Sequence, residues 1–538
     1  MTAQSEPKAK SGPKRNSPML KVGAIGLALA LGVVAFATVS NTTPADGQAE
    51  VSRHVPAAKL AMQAQPLAKQ PTEIGINLFG PNTFNRQQVF LNLIAHSEWF
   101  SNSGDAWGPM PAEQLDAAGW IRYLNPGQTA PRPLMIPPAP YRTAQVRCEY
   151  TGRGEFSADG VARVVSQGEG SLMLELSPTG AEDEGGWIEL IRTDPADPVR
   201  NIDCRDTSFP RNERFHPAFV ESLKGFKTIR FLDWQRINDN ADVSWATRVK
   251  PEYSSQVTGG GVSVEDMLDI ADRVGANPWF IMPYKADQAY IRQFAHLVHD
   301  RIDPSRTVYV ELGNEVWNDM FDAAQQAERE GVMLKLAPGD PKRAQMLRYA
   351  AKTRDAMKVW TEVFADRPGK LVRVASSQHA WHDLSEIILS SGDTAQWVDA
   401  LATAPYIWME LDGMGAADVD RVFAQMPDAI EKTMQMGEKN RAIAARYGKS
   451  VIAYEGGQHL VTRDMALARA IQRDPRMGDV YRRYLAEWDS RFGGLMTLYA
   501  SNAPISEYGS WGLTEYGGQP INQAPKLRAV RAFQEHAK

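Results

Sequence analysis

The chain has 538 residues, 43% of them hydrophobic and 23% charged, the composition of an ordinary globular protein too long for one minimal core. Its 59 lysines and arginines stand against 64 aspartates and glutamates, a formal net charge of -5, and no dense basic block follows residue 21. Nothing therefore attracts a phosphate backbone, nucleic acid is not expected as a partner, and one large domain with a smaller appendage is the expected organisation.

In chain order, the first signal is for targeting. Lys8, Lys10, Lys14, Arg15 and Lys21 precede an uncharged run from Val22 to Thr38, the order of a secretory signal or a signal anchor. The run is at the short edge for crossing roughly 30 Å of hydrocarbon, and Ala35-Phe36-Ala37 offers a small-x-small cleavage site. Two fates stay open: residues 1–40 remain as a cytoplasmic tail and anchor, or they are removed as a signal peptide. Either way the rest is exported, and this segment is the only expected contact with a membrane. Residues 41–70 read as a linker, and residues 71–538 as the main domain.

Beyond Pro71, short apolar runs alternate with helical stretches, which predicts parallel strands with crossover helices. The runs are Ile74 to Phe79, Thr228 to Leu232, Trp279 to Pro283, Val308 to Leu312, Leu371 to Ala375, Ala400 to Ala404, Val451 to Tyr454 and Leu495 to Tyr499. Eight such strands predict an α/β fold, a (β/α)8 TIM barrel. The predicted outer helices are Val264 to Val274, Gln288 to Arg301, Pro341 to Phe364, Ala417 to Tyr447 and Arg463 to Arg491.

The interval between the first two strands is too long for one crossover. Residues 141–206 read as a β-rich insertion, with strands at Gln145 to Tyr150, Val161 to Ser166, Ser171 to Leu176 and Trp187 to Thr193 between glycine-rich turns. It is either a buttress or an accessory carbohydrate surface. The chain's two cysteines, Cys148 and Cys204, both lie here and are a candidate disulfide in an oxidising compartment. Without neighbouring histidines they do not make a zinc site.

Two strand ends carry the chemistry. Val308-Tyr309-Val310-Glu311-Leu312-Gly313-Asn314-Glu315-Val316-Trp317-Asn318 runs a strand into Asn-Glu, with a glycine to relax the turn. Lys449-Ser450-Val451-Ile452-Ala453-Tyr454-Glu455-Gly456-Gly457 is a second strand ending in Glu. Counted along the barrel these are strands four and seven, on opposite sides of the lumen, so their carboxyls converge over its C-terminal mouth, where this fold places its active sites. A retaining glycosidase needs two carboxyls about 5 to 5.5 Å apart, one attacking the anomeric carbon and one protonating the departing oxygen.

From about Glu73 to Tyr516 the chain resembles the clan A glycoside hydrolases, which include cellulases, xylanases, mannanases and xylosidases. The resemblance implies that Glu315, after Asn314 at the end of strand four, is the acid/base, and that Glu455 at the end of strand seven is the nucleophile. It implies that Arg230 in Thr228-Ile229-Arg230-Phe231-Leu232 holds the nucleophile ionised and that Tyr406 in Ala404-Pro405-Tyr406 hydrogen-bonds it. It further implies that Trp511 or a neighbour is an aromatic platform, while Asn314 suits a sugar 2-hydroxyl. Each of Arg230, Tyr406 and Trp511 also has a structural alternative, as a core ion pair, a packed tyrosine or rim packing.

The sequence departs from the better-known members in two places. Ala404 stands where many carry a histidine two residues before the strand-six tyrosine, and the third strand ends in Pro283-Tyr284-Lys285, again without histidine. Trp317, His379, Trp381, His382, Trp234, Asp233 and Trp408 occupy rim-like positions, with Trp317 and His379 the candidate substrate contacts. The expected function is hydrolysis of a β-linked poly- or oligosaccharide with net retention, using neither metal nor organic cofactor. The alternatives are transglycosylation by the same site and a catalytically silent barrel that binds exopolysaccharide.

Overall fold

The computed structural model describes residues 70–104 and 106–536. Eight strands close a barrel: β1 Glu73–Asn77, β2 Thr228–Arg230, β3 Asn277–Met282, β4 Val308–Leu312, β5 Leu371–Ser376, β6 Ala400–Thr403, β7 Ser450–Ala453 and β8 Leu495–Leu498. Each pairs in parallel with the next, and β8 closes onto β1 with Glu73 opposite Leu495. The predicted TIM barrel with a β-rich insertion after its first strand is the observed fold.

Side chains alternate across each strand and sort into two cores. Trp279, Ile281, Val374, Ala402, Ile452 and Tyr454 fill the lumen. Phe280, Met282, Val310, Leu312, Leu401 and Leu498, one residue out of phase, face the helices. Near the C-terminal ends of β1, β2, β4 and β5 the inward position is polar, with Asn77, Arg230, Glu311 and Ser376 all buried there. Those polar side chains turn the top of a packed lumen into the floor of a site.

The helices Val264–Val274 and Gln288–Arg301 have the predicted bounds. The first is stopped cleanly at both ends: Ser263 accepts from the Asp266 amide, and Gly275 takes the left-handed conformation at φ 73° that closes a helix cheaply. The predicted helix Arg463 to Arg491 is instead two, Met465–Arg473 and Arg476–Arg491. Pro475 has no amide to donate and forces the residue before it out of the helical region, so the break falls at Asp474. A helix that periodicity missed, Asp322–Met333, packs against Pro341–Val363.

The insertion is a two-sheet sandwich with its own core. One sheet orders Arg200–Asp206, Ala144–Thr151, Ser171–Leu176 and Ala162–Gly168; the other orders Ala130–Pro133, Gly186–Thr193 and Gly154–Gly160. It therefore draws in chain before residue 141. Val146, Leu174, Ile188 and Leu190 lie between the sheets with Cys148 and Cys204, which face each other across neighbouring strands and are disulfide-bonded. Its outward surface carries the ion pairs Arg147–Glu149, Arg163–Glu175 and Arg192–Glu155. Arg132 ties the sandwich to the barrel: fully buried, it donates to the carbonyls of Ile94, Ser97 and, in the loop after β2, Ser254 at 2.6 Å.

Among the described residues no helix is long and apolar enough to cross a membrane. The basic and apolar N-terminal segment, including Val22 to Thr38, lies outside the described residues.

Candidate active site

Arg230, at the end of β2, organises the mouth of the barrel. Its Nη1 donates to Glu455 Oε1 at 2.7 Å and to Asn77 Oδ1 at 3.1 Å; its Nε donates to Glu311 Oε1 at 2.9 Å, and its Nη2 to Glu311 and to Asn314 Oδ1 at 2.8 Å. The Tyr454 ring lies beneath the guanidinium, 4.9 Å from centroid to carbon. Burial alone would lower the Arg230 pKa, but Glu311 and Glu455 outweigh it and hold the cation above its ordinary value. Such a buried cation persists only because every acceptor around it is placed, and removing one partner leaves an uncompensated charge.

Glu455 follows β7 by two residues and is almost fully buried. Besides Arg230, its Oε2 accepts from Tyr406 Oη at 2.8 Å. Tyr406 lies beyond Pro405 on a short strand, Tyr406–Trp408, that pairs in parallel with Gly457–His459. The barrel ladder thus resumes above the rim and carries the tyrosine to the carboxylate. Burial pushes Glu455 above its ordinary value, while Arg230 and the Tyr406 hydrogen bond pull it back. The carboxylate has donors on both oxygens, which favours its charged form.

Glu315 follows β4 by three residues, on a turn that needs unusual backbone. Gly313 is left-handed at φ 62°, where a Cβ would lie 2.6 Å from Val316, and Glu315 itself sits at φ 43°. A non-glycine residue there costs about 1–3 kcal/mol and is retained where the surroundings overdetermine it. The Asn318 amide donates to the Glu315 carbonyl at 2.7 Å, and the Asn318 side chain donates to Glu315 Oε2 at 2.9 Å. On the other side Tyr454 Oη donates to Oε1 at 3.1 Å. Glu315 makes no ion pair with Arg230. Burial, and then the charge of Glu455, push its pKa up to about 8, against the opposing pull of Asn318, Tyr454 and Arg230. The two carboxyls are thus electrostatically unlike, one clamped by a guanidinium and one held protonated at neutral pH.

The sequence-derived candidates divide in two. Glu455, Asn314, Arg230 and Tyr406 form one hydrogen-bonded cluster at the C-terminal mouth, and Glu315 joins it through Tyr454, whose carbonyl accepts from Asn77 beside Arg230. Asn314 uses its oxygen on Arg230 and its amide on Asn238 at 3.0 Å. Trp511 stands just behind the cluster, buried against Tyr499 and donating to His459 Nδ1 at 3.2 Å, so it is a packed wall rather than an open platform. Trp317 is partly buried against the outer core, and its indole nitrogen has no hydrogen-bond partner.

His379 is not in the cluster. It is buried outside the barrel wall, with one ring nitrogen 3.0 Å from Thr403 Oγ1 and the other 2.8 Å from the Thr433 carbonyl on helix Val419–Arg446. Burial lowers its pKa to about 4. Both nitrogens are spent on structure, so His379 is a neutral bracing group and not the substrate contact expected from the sequence.

Four members of the cluster were not singled out from the sequence: Asn77, Glu311, Tyr454 and Asn318. Strand alternation carries the signal for one of them. Glu311 is the one charge inside an apolar strand and shares a face with Tyr309, toward the lumen, as Arg230 does in β2. Among the described residues no group of three or more histidine, cysteine, aspartate or glutamate side chains is arranged to hold a metal ion.

No family model and no curated protein sequence matches the chain. Solved structures with a similar fold include an alpha-L-arabinofuranosidase from Thermotoga maritima, with 11% identity over 60% of this chain and 64% of that chain at a TM-score of 0.37. An endo-beta-1,4-mannanase from Cellulomonas fimi matches with 12% identity over 57% and 62% at 0.32, and a family 1 beta-glucosidase from Thermotoga maritima with 13% over 59% and 85% at 0.30. The match covers a little under two thirds of the arabinofuranosidase and the mannanase.

Proposed function

We propose that this protein is a retaining glycoside hydrolase of the clan A type acting on a β-linked poly- or oligosaccharide. The observation that carries the reading is the asymmetry of the two carboxyls: Glu455 accepts from Arg230 and Tyr406, whereas Glu315 has only neutral donors and a strongly raised pKa. In the first step a Glu455 oxygen attacks the anomeric carbon while the Glu315 proton passes to the departing glycosidic oxygen, leaving a glycosyl ester. In the second, Glu315 removes a proton from water, the water oxygen attacks the same carbon, and Glu455 leaves as a carboxylate. Two inversions give net retention.

The electrostatics suit this cycle. When the Glu455 charge is consumed in the ester, the second of the two influences that raise Glu315 disappears, its pKa falls although burial still acts on it, and the acid is better able to serve as a base in the next step. Arg230 stabilises Glu455 again as it departs. We further propose that the chain is exported, with the apolar run Val22 to Thr38 either retained as an anchor or removed; the basic-then-apolar order of the leading sequence supports this.

The test is a reducing-sugar screen of the full chain on a panel of polysaccharides, beside Glu315→Gln and Glu455→Gln. The reading requires sugar release by the native chain and loss of about a thousandfold or more in kcat in both variants, with glycan binding kept. Binding without cleavage, unchanged in the variants, would instead favour an exopolysaccharide-binding barrel.

A further inference from the structure

Besides Glu311, a further carboxyl lies close to the nucleophile's loop with no part in the double displacement. Asp233 follows Arg230 by three residues, in the turn where Arg236 donates from its amide to the Asp233 carbonyl. Its Oδ2 accepts from Tyr499 Oη at 3.1 Å. Tyr499 is the first residue after β8, and its own amide donates to the carbonyl of Gly456, the residue after Glu455, at 3.0 Å. The chain Gly456–Tyr499–Asp233 therefore sets this carboxyl at a fixed place against the nucleophile's loop, with Phe79 and Trp511 packed around the Tyr499 ring.

Its electrostatic situation is unlike that of its neighbours. Glu311 and Glu455 share the Arg230 cation, and the Arg236 guanidinium is engaged by Asp239. Among the described residues Asp233 enters no ion pair, and its Oδ1 has no hydrogen-bond donor. The residue keeps partial access to solvent at the rim, whereas Glu311, Glu315 and Glu455 are buried. Burial of the carboxyl, with a contribution from the Glu455 charge, moves it up to about 7. An open acceptor held against the nucleophile's loop through Tyr499 is what a sugar hydroxyl would fill.

We infer that Asp233, positioned by Tyr499, is the specificity-determining residue for the sugar unit whose anomeric carbon Glu455 attacks: it accepts from that unit's hydroxyls and admits neutral sugars while rejecting uronic acids. This rests on the glycosidase reading above. The rejection follows from charge: a sugar carboxylate entering here meets Asp233, Glu311 and Glu455, while the two nearby cations, Arg230 and Arg236, are already engaged by Glu311 and Glu455 and by Asp239, and like charges brought together select strongly against the wrong ligand.

The experiment uses the full chain with 2,4-dinitrophenyl β-glycosides of glucose, galactose, mannose, xylose and glucuronic acid, on native protein, Asp233→Asn, Tyr499→Phe and Glu455→Gln. The methyl β-glycosides of the same sugars are titrated for binding to each. The expected result is turnover of at least one neutral glycoside and not the glucuronide. Asp233→Asn then loses about tenfold or more in kcat/KM on that substrate, mainly through KM, and narrows the neutral-over-uronate ratio about tenfold. Tyr499→Phe shifts the same ratio less, because the carboxyl stays but loses its tether.

Preferential turnover of the glucuronide, or an Asp233→Asn ratio within twofold of native in a folded variant, would overturn the inference and leave the glycosidase reading intact. If nothing is hydrolysed but neutral methyl glycosides bind selectively and Asp233→Asn removes the selectivity, the glycosidase reading fails and the assignment of Asp233 stands. If nothing is hydrolysed and nothing binds, both are overturned.

Discussion

Tyr454 donates its hydroxyl to Glu315, although its neighbour in the chain is Glu455, so one two-residue segment serves both carboxyls. Its ring also lies against the Arg230 guanidinium that holds Glu455. The consequence is a test of coupling. Tyr454→Phe removes a donor that lowers the Glu315 pKa, so the alkaline limb of the pH–rate profile should move upward and kcat should fall by about five- to tenfold, consistent with one hydrogen bond of about 1 kcal/mol. A profile that stays put while only KM rises would assign Tyr454 to substrate contact instead.

The alkaline limb itself is the second prediction. With Glu315 raised to about 8, kcat/KM should hold through neutral pH and fall as the acid ionises near that value, the apparent constant belonging to the coupled pair. Glu315→Gln abolishes this limb. The sign for stability is the opposite of the usual carboxylate case. Between its ordinary 4.5 and about 8, folded Glu315 keeps a proton that unfolded Glu315 has lost, so folding takes up a proton and stability declines as pH rises through that window. Chemical denaturation at pH 5 and pH 8 should show a shallower decline in Glu315→Gln than in the native chain.

Arg230→Met should be costly beyond activity. It orphans the buried carboxylates Glu311 and Glu455 together, and breaking a buried pair from one side costs about 3–5 kcal/mol. A clear fall in Tm with loss of turnover is expected. Arg230→Lys keeps the charge but cannot serve Glu311, Asn77, Asn314 and Glu455 from one planar fork, so turnover should fall even where stability is partly recovered.

Reduction of the Cys148–Cys204 bond should separate the sandwich from the chemistry. The bridge closes a loop with a sequence separation of 56 inside the insertion's own core, for which loss of about 2–4 kcal/mol is expected. Differential scanning with and without reductant should show a lowered transition, while kcat at a permissive temperature changes less than twofold, since neither sulfur touches Arg230, Glu315 or Glu455.

Much of this arrangement was legible because period-2 and period-3.6 patterns read directly as burial. All eight barrel strands and the Asn314-Glu315 and Glu455 termini could be placed from apolar runs and the residues that end them. What could not be read depends on contacts distant in sequence. Tyr454 to Glu315 spans 139 residues and Arg230 to Glu455 spans 225, so their partners are fixed by barrel closure rather than by local pattern. His379 misled because a histidine just after a strand end resembles a rim residue, and only the packing of β6 and of helix Val419–Arg446 around it reveals that both nitrogens are occupied. In the insertion, the strand Gly154–Gly160 went unread because its glycine and polar residues mask the alternation.

The most direct test of the central claim is covalent trapping. The full chain would be incubated with a 2-deoxy-2-fluoro β-glycosyl fluoride of whichever sugar the screen identifies, digested, and analysed by mass spectrometry. The account predicts one added glycosyl group on the peptide containing Glu455, absent in Glu455→Gln and still formed in Glu315→Gln, since a fluoride leaving group needs no acid. A label on Glu315, on Asp233 or on any other residue would contradict the assignment of Glu455 as the nucleophile.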